Sequence, residues 1–155
     1  MIYDAILNSI ADPVFVKNDS FQFVYCNDAL CDMLGLTKES IMGKTLGESL
    51  PKDQMDHFLE VDKTVLDSGK SNISEEPLTG KDGKILIIIT KKTRFIDEQG
   101  NKFIVGIIRD VTEQKKVERE LQVKISELEK INQVMIGREM KMVELKDELE
   151  KLKNK

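Results

Sequence analysis

The stretch 103–121, FIVGIIRDVTEQKKVEREL, constrains this chain more than any other. Its first half carries Phe103, Ile104, Val105, Ile107 and Ile108 in one run, the composition of a buried β-strand. Its second half is charged, with apolar residues at helical spacing. Between them lies Arg109-Asp110-Val111-Thr112-Glu113. Everything before this joint has the short, punctuated periodicities of one α+β domain, residues 1–112. Everything after it, residues 113–153, has the pattern of one long amphipathic helix.

Upstream, Ile2, Ala5, Ile6 and Ser9 share one face of a flanking helix within residues 1–10, which should pack on something, and Asp12-Pro13 breaks it. Val14–Lys17 and Phe21–Cys26 read as a hairpin across Asn18-Asp19-Ser20. Asn27 is placed to cap a short helix, Asp28–Leu34, that Gly35 ends. Thr37 with Ser40 and Ile41 allows one more helical turn. After Pro51, the spacing of Met55, Phe58, Leu59, Asp62, Val65 and Leu66 predicts a longer helix closed by Gly69. Three strands follow. Ile73–Leu78 carries Pro77 and belongs at an edge. Ile85–Ile96 opens with five consecutive apolar residues and asks for cover on both faces. Lys102–Arg109 is the last, beyond a loop at Gly100. The pairs Glu75-Glu76 and Lys91-Lys92 read as solvated sheet positions.

The tail has a heptad. Leu121, Leu128, Met135, Met142 and Leu149 fall at one seam position, and Val117, Ile131, Leu145 and Leu152 at the other. Lys124 and Arg138 interrupt it, and Gly137 weakens the helix locally. A long apolar stripe needs a partner, and a parallel homodimeric coiled coil is the simplest one. Folding back onto the preceding domain is the alternative.

The net charge is −4, with no basic patch to suggest nucleic acid. Asp4, Asn8 and Asp12 interrupt the N-terminus, and no apolar run approaches the roughly 20 residues that span a bilayer, so neither a signal peptide nor membrane insertion is expected. Cys26 and Cys31 lack CxxC spacing and read as small buried hydrophobes in a reducing, cytoplasmic setting.

In order along residues 3–112, the chain presents Asp12-Pro13-Val14-Phe15-Val16, Asn27-Asp28-Ala29, Gly35, Gly43-Lys44, Gly69-Lys70, Asp82-Gly83 and Gly106-Ile107-Ile108-Arg109-Asp110-Val111-Thr112-Glu113. This set resembles a PAS domain, and Asp110-Val111-Thr112 is similar to the Asp-Ile-Thr signal-transfer motif at PAS C-termini, with Val111 in place of isoleucine. The tail looks like the helices that follow PAS domains in bacterial and archaeal two-component sensors. The resemblance implies a PAS fold, a five-stranded antiparallel sheet in the order 2-1-5-4-3 with short helices on one face. It also implies a ligand cavity between sheet and helices, a dimer, and cytoplasmic signalling.

Catalytic machinery is missing from the sequence. His57 is the single histidine, it lies outside the tail, and Phe58-Leu59-Glu60 follow it rather than an acidic residue and proline. No Walker-type loop, nucleophile elbow or His/Cys metal cluster is present, so the chain is expected not to be an enzyme. No match exists to the cysteine motif of flavin-binding relatives. Haem-binding relatives place an axial histidine on the long helix, which leaves His57 as a haem ligand in play, with either His57 or Phe58 at the cavity-facing position. The cofactor is otherwise undetermined. The expected cavity lining is Phe15, Met33, Leu34, Met55, Phe58, Val65, Ile88 and Ile107, suited to a small apolar ligand.

The expected function is a dimeric sensory module that relays a small-molecule or partner signal through its C-terminal helix to a downstream domain outside this chain. In that reading Asp110 and Thr112 couple movement of the last strands to the helix start. The alternatives are the sensor fragment of a histidine kinase, a ligand-free dimerisation module and a haem-based gas sensor.

Overall fold

The computed structural model describes residues 1–47 and 49–155, and its contacts divide them into two units, Met1–Thr112 and Glu113–Lys155. The order of elements is α1 (Ile2–Asn8), β1 (Val14–Lys17), β2 (Phe23–Cys26), α2 (Asp28–Leu34), α3 (Lys38–Ile41), α4 (Lys52–Ser68), β3 (Asn72–Thr79), a 3₁₀ turn (Lys81–Gly83), β4 (Ile85–Ile96), β5 (Lys102–Asp110) and α5 (Thr112–Lys153).

The strands form one antiparallel sheet in the order β2-β1-β5-β4-β3. β3, with Pro77, is an edge strand, where a residue without an N–H leaves no interior rung unmade. α2, α3 and α4 cover one face. Leu30, Ile41 and Met55 from those helices close the core against Phe15, Phe23, Leu78, Ile88 and Ile108 from the sheet. Two close fits fix this packing. Gly106 pairs with Phe15, and a Cβ built on Gly106 would lie 2.0 Å from the tip of the Phe15 ring, so the ring occupies the space that any larger residue would need. Gly69 ends α4 at φ +71, where its missing side chain admits the Arg94 guanidinium. Arg94 Nη1 donates to the Leu66 carbonyl at 2.9 Å, satisfying one of the helix's terminal acceptors.

Asn27 does more than cap α2. It is fully buried; its Oδ1 accepts from Val14 N at 2.9 Å and Leu30 N at 3.2 Å, while its Nδ2 donates to the carbonyls of Leu7 and Asp12 at 3.1 and 3.0 Å. One side chain therefore joins the exit of α1, the start of β1 and the start of α2.

Three local expectations need correction. β2 begins at Phe23, because Phe21 turns at φ +61 inside a loop closed by Asn18 N donating to Gln22 O at 3.0 Å. The flanking helix α1 buries none of its residues, and Ile2 and Ile6 are exposed. β4 is fully covered on its helix-facing side only: Ile88 is buried, whereas on the outer face Ile87 and Ile89 are half-buried and Ile85 is 65% exposed.

The second unit is α5, a helix of 42 residues counted from Thr112. Val117, Leu121, Leu128, Ile131, Met135, Met142, Leu145, Leu149 and Leu152 are all more than half exposed along it. Among the described residues, no helix is long and apolar enough to cross a membrane.

Candidate functional site: a charged-ended cavity and the strand beside it

A cavity of about 50 Å³ lies between the inner face of the sheet and helices α2 and α4. Of the eight residues expected to line it, Phe15, Leu34, Met55, Phe58 and Ile88 do. Ile107 does not. Side chains alternate across a strand, so Ile108 faces the cavity and Ile107 projects from the opposite face, 43% exposed. Met33 packs against the core at its periphery and Val65 is buried, but neither reaches the cavity wall. Phe23, Leu30, Thr45, Leu46, Leu50 and Leu78 complete the wall without having been expected there.

The larger surprise is charge. Lys17, Glu76, Thr90 and Lys92 line the cavity, and all four are at least nine-tenths buried. Glu76 and Lys92 correct the reading of Glu75-Glu76 and Lys91-Lys92 as solvated pairs, because only Glu75 and Lys91 point outward. Asp62 on α4 is fully buried and holds both lysines, Lys17 Nζ at 2.6 Å from Oδ2 and Lys92 Nζ at 2.6 Å from Oδ1. Lys17 also lies over the Phe23 ring, 4.8 Å from its centroid, and Lys92 lies 5.4 Å from that of Phe58. Burial lowers the Lys17 ammonium below its ordinary pKa, with Asp62 opposing that shift. The signal that could have found this cluster is period-2 alternation: counting forward from Ile88 by twos along β4, and across to its partner on β3, puts Thr90, Lys92 and Glu76 on one face.

His57 does not line the cavity. Its imidazole is half exposed and lies 2.9 Å from Glu76 Oε2, while the next residue, Phe58, occupies the wall. The ambiguity between positions 57 and 58 resolves to a phenyl ring facing the cavity, which leaves the haem alternative without its axial imidazole there. Among the described residues no group of three or more His, Cys, Asp or Glu side chains is placed to hold a metal ion. Cys26 Sγ lies 4.0 Å from Cys31 Sγ and from Met42 Sδ, and burial followed by the neighbouring Cys31 pushes its thiol up to about 12, so it stays protonated and packs as a hydrophobe.

At the joint, Asp110, Val111 and Thr112 stand beside the same strand that floors the cavity. Val111 N donates to Ile87 O at 2.9 Å, and Ile87 N donates to Thr112 Oγ1 at 2.9 Å. Asp110 Oδ1 accepts from Thr112 N at 2.9 Å and also from Thr112 Oγ1. The carboxylate thus aims the threonine hydroxyl, whose lone pair takes the Ile87 N–H. Val111 is 3% exposed and seals the edge of the core beneath them.

A helix-roofed antiparallel sheet in this order, with a small cavity between sheet and helices, is the architecture that the comparisons with known proteins match. Residues 7–116 match the family described as PAS fold, and the chain belongs to that family. It is 35% identical over 126 residues to the protein y4lL of Sinorhizobium fredii, covering 79% of this chain and 15% of that protein. It is 29% identical over 117 residues to the methyl sulfide methyltransferase-associated sensor of Methanosarcina acetivorans, covering 75% of this chain and 12% of the sensor. The PAS domain of BvgS from Bordetella pertussis shares the fold with a TM-score of 0.63 at 22% identity, covering 81% of this chain and 96% of that one. The chain therefore spans a small fraction of these two sequence relatives. It is a PAS sensory domain of the kind found in signalling proteins.

Proposed function

We propose that this chain is a dimerising sensory module of a cytoplasmic signalling protein, which relays occupancy of its cavity through α5 to an output domain outside the chain. One observation carries the reading. Adjacent residues of β4 serve the two sites: Ile88 floors the cavity, and Ile87 holds Val111 and Thr112 through its backbone. A ligand that displaces Ile88 strains the neighbouring peptide, and the peptide is what anchors the start of α5. The relative that is itself named a sensor supports the signalling half of the reading. The exposed seam of α5 supports the dimeric half, because a stripe of that length is stable in water only when covered.

The test is hydrogen exchange on the doubly substituted chain Asp110→Ala, Thr112→Ala. The sheet should keep its protection while amides 113–120 exchange at least about tenfold faster, the loss of one to two hydrogen bonds. Exchange at 113–120 equal to wild type would sink the coupling.

A second reading is favoured by the cavity's small volume: a dimerisation module that binds nothing. Native mass spectrometry of the purified chain separates the two, since a co-purifying small molecule belongs to the first alone.

A further inference from the structure

Among the described residues, the buried side-chain oxygens with neither a hydrogen bond nor an ion pair are gathered in one place. Asn72 Oδ1, Ser74 Oγ and Glu76 Oε1 on β3, and Thr90 Oγ1 on β4, are all buried without a hydrogen bond. Ser74 stands directly opposite Thr90 in the ladder, and Glu76 opposite Ile88, so these atoms form one polar patch on the inner face of the β3–β4 hairpin. Glu76 and Thr90 belong to the cavity wall. A buried acceptor left unmade is costly enough that most such groups find a partner. The two lysines at the same end do not supply it, because each ammonium is drawn to Asp62 at 2.6 Å.

The charges lining that end cancel, Lys17 and Lys92 against Asp62 and Glu76, with the half-exposed His57 imidazole against the outer oxygen of Glu76, Oε2, at 2.9 Å. A carboxylate entering the cavity would confront Glu76 across low-dielectric surroundings. An ammonium would confront two lysines. A neutral group escapes both penalties, provided it can donate to Glu76 Oε1 and accept from the Thr90 hydroxyl or from a spare N–H of Lys92. The rest of the wall is aliphatic and aromatic and takes an apolar body.

The geometry points to a small neutral ligand with an adjacent hydrogen-bond donor and acceptor on a short apolar body, an amide- or lactam-type compound, as the class this cavity selects. This inference rests on the sensory reading above and sharpens it, by making the polar end the element of selectivity.

The test uses the full chain and four probes: isobutyramide, isobutyrate, isobutylammonium and xenon, with methyl NMR shifts of Ile88 and Ile108 as the readout. Isobutyramide should shift both methyls saturably and bind at least tenfold tighter than the carboxylate or ammonium of the same body. Thr90→Val should weaken the amide at least fivefold, with the unfolding temperature unchanged or raised, because the hydroxyl has no partner in the empty chain. Glu76→Gln should improve isobutyrate at least fivefold. Equal or tighter binding of isobutyrate or isobutylammonium overturns the assignment. So does amide binding indifferent to Thr90→Val, the result if water alone fills the polar end. Xenon separates the two levels. If xenon shifts the methyls and no organic probe does, the cavity stands as a site and the ligand class falls. If xenon is silent as well, the cavity reading falls with it.

Discussion

Asp62 is the residue on which the inner charges depend. It is fully buried, with an ammonium 2.6 Å from each of its oxygens, and both lysines reach it from the sheet while it projects from α4. Hydrophobic side chains of similar volume could match this triad in stability, since ions buried together repay little more than their desolvation. Breaking it is another matter. Asp62→Asn leaves two buried ammonium groups facing each other and should cost about 3–5 kcal/mol, measured by urea unfolding of the full chain at neutral pH. Lys17, already lowered by burial and now without its carboxylate, would shed its proton more readily. A folded value below the unfolded one means that the unfolded state binds more protons in between, so the variant should regain stability as pH rises through that window. This residue's place on the helix was legible from the 3.6-residue spacing that groups it with Met55, Phe58 and Val65. The charges around it were not: Lys92, its partner, and Glu76, at the same end of the cavity, each sit beside a residue of like charge and read as pairs rather than as alternating faces. Burial depends on which strand covers which, and a pairing register is not written in either strand alone.

At the scale of elements, legibility follows the strength of local punctuation. α2 was readable to the residue because Asn27 and Gly35 mark both ends chemically, by a side-chain cap and by a left-handed backbone at φ +67. β4 was equally plain, since twelve β-forming residues lie between two turns. β2 was read two residues too long, because Phe21 looks like a strand residue and the turn around it is made by Asn18 and backbone carbonyls. Ile107 was misplaced for a related reason: in an unbroken apolar run the sequence does not say which of two neighbours faces in. α5 offers an element-scale prediction. Gly137 is a helix-interior glycine whose added Cβ would meet nothing within 4 Å, so Gly137→Ala should raise helix stability by about 1 kcal/mol without disturbing packing in the chain. Circular dichroism melting of a peptide spanning 113–155 reads this directly, and an unchanged melt would mean that the helix is held there by something other than its own propensity.

For the molecule as a whole, apolar side chains stay open among the described residues on α1, on the outer face of the sheet and along α5. If α5 is the principal dimer contact, sedimentation of residues 1–112 should show a dissociation constant at least about a hundredfold weaker than the full chain, the loss expected when about 3 kcal/mol of association is removed. A truncated chain as dimeric as the parent would assign the dimer to the domain instead. The order of the elements and the sheet topology were open to a reader of the sequence, through the ordered set of turn residues and the family they resemble. The polar end of the cavity was not, because it resides in an alignment of strands, helix and partnerless atoms that exists only after folding.

The joint has one more consequence. The rung that holds Ile87 N is completed by the Thr112 hydroxyl, a side chain, where a backbone carbonyl would ordinarily serve. It can therefore open without unpairing the sheet, and in the relay proposed above it would act as a mechanical detent with a threshold near that of one hydrogen bond, about 0.5–1.5 kcal/mol. Under that proposal, a ligand that favours the released form by less than about tenfold would occupy the cavity and go unheard. In such a device affinity and message are separate properties, and a tight binder that fits both positions of the detent equally would be a silent one.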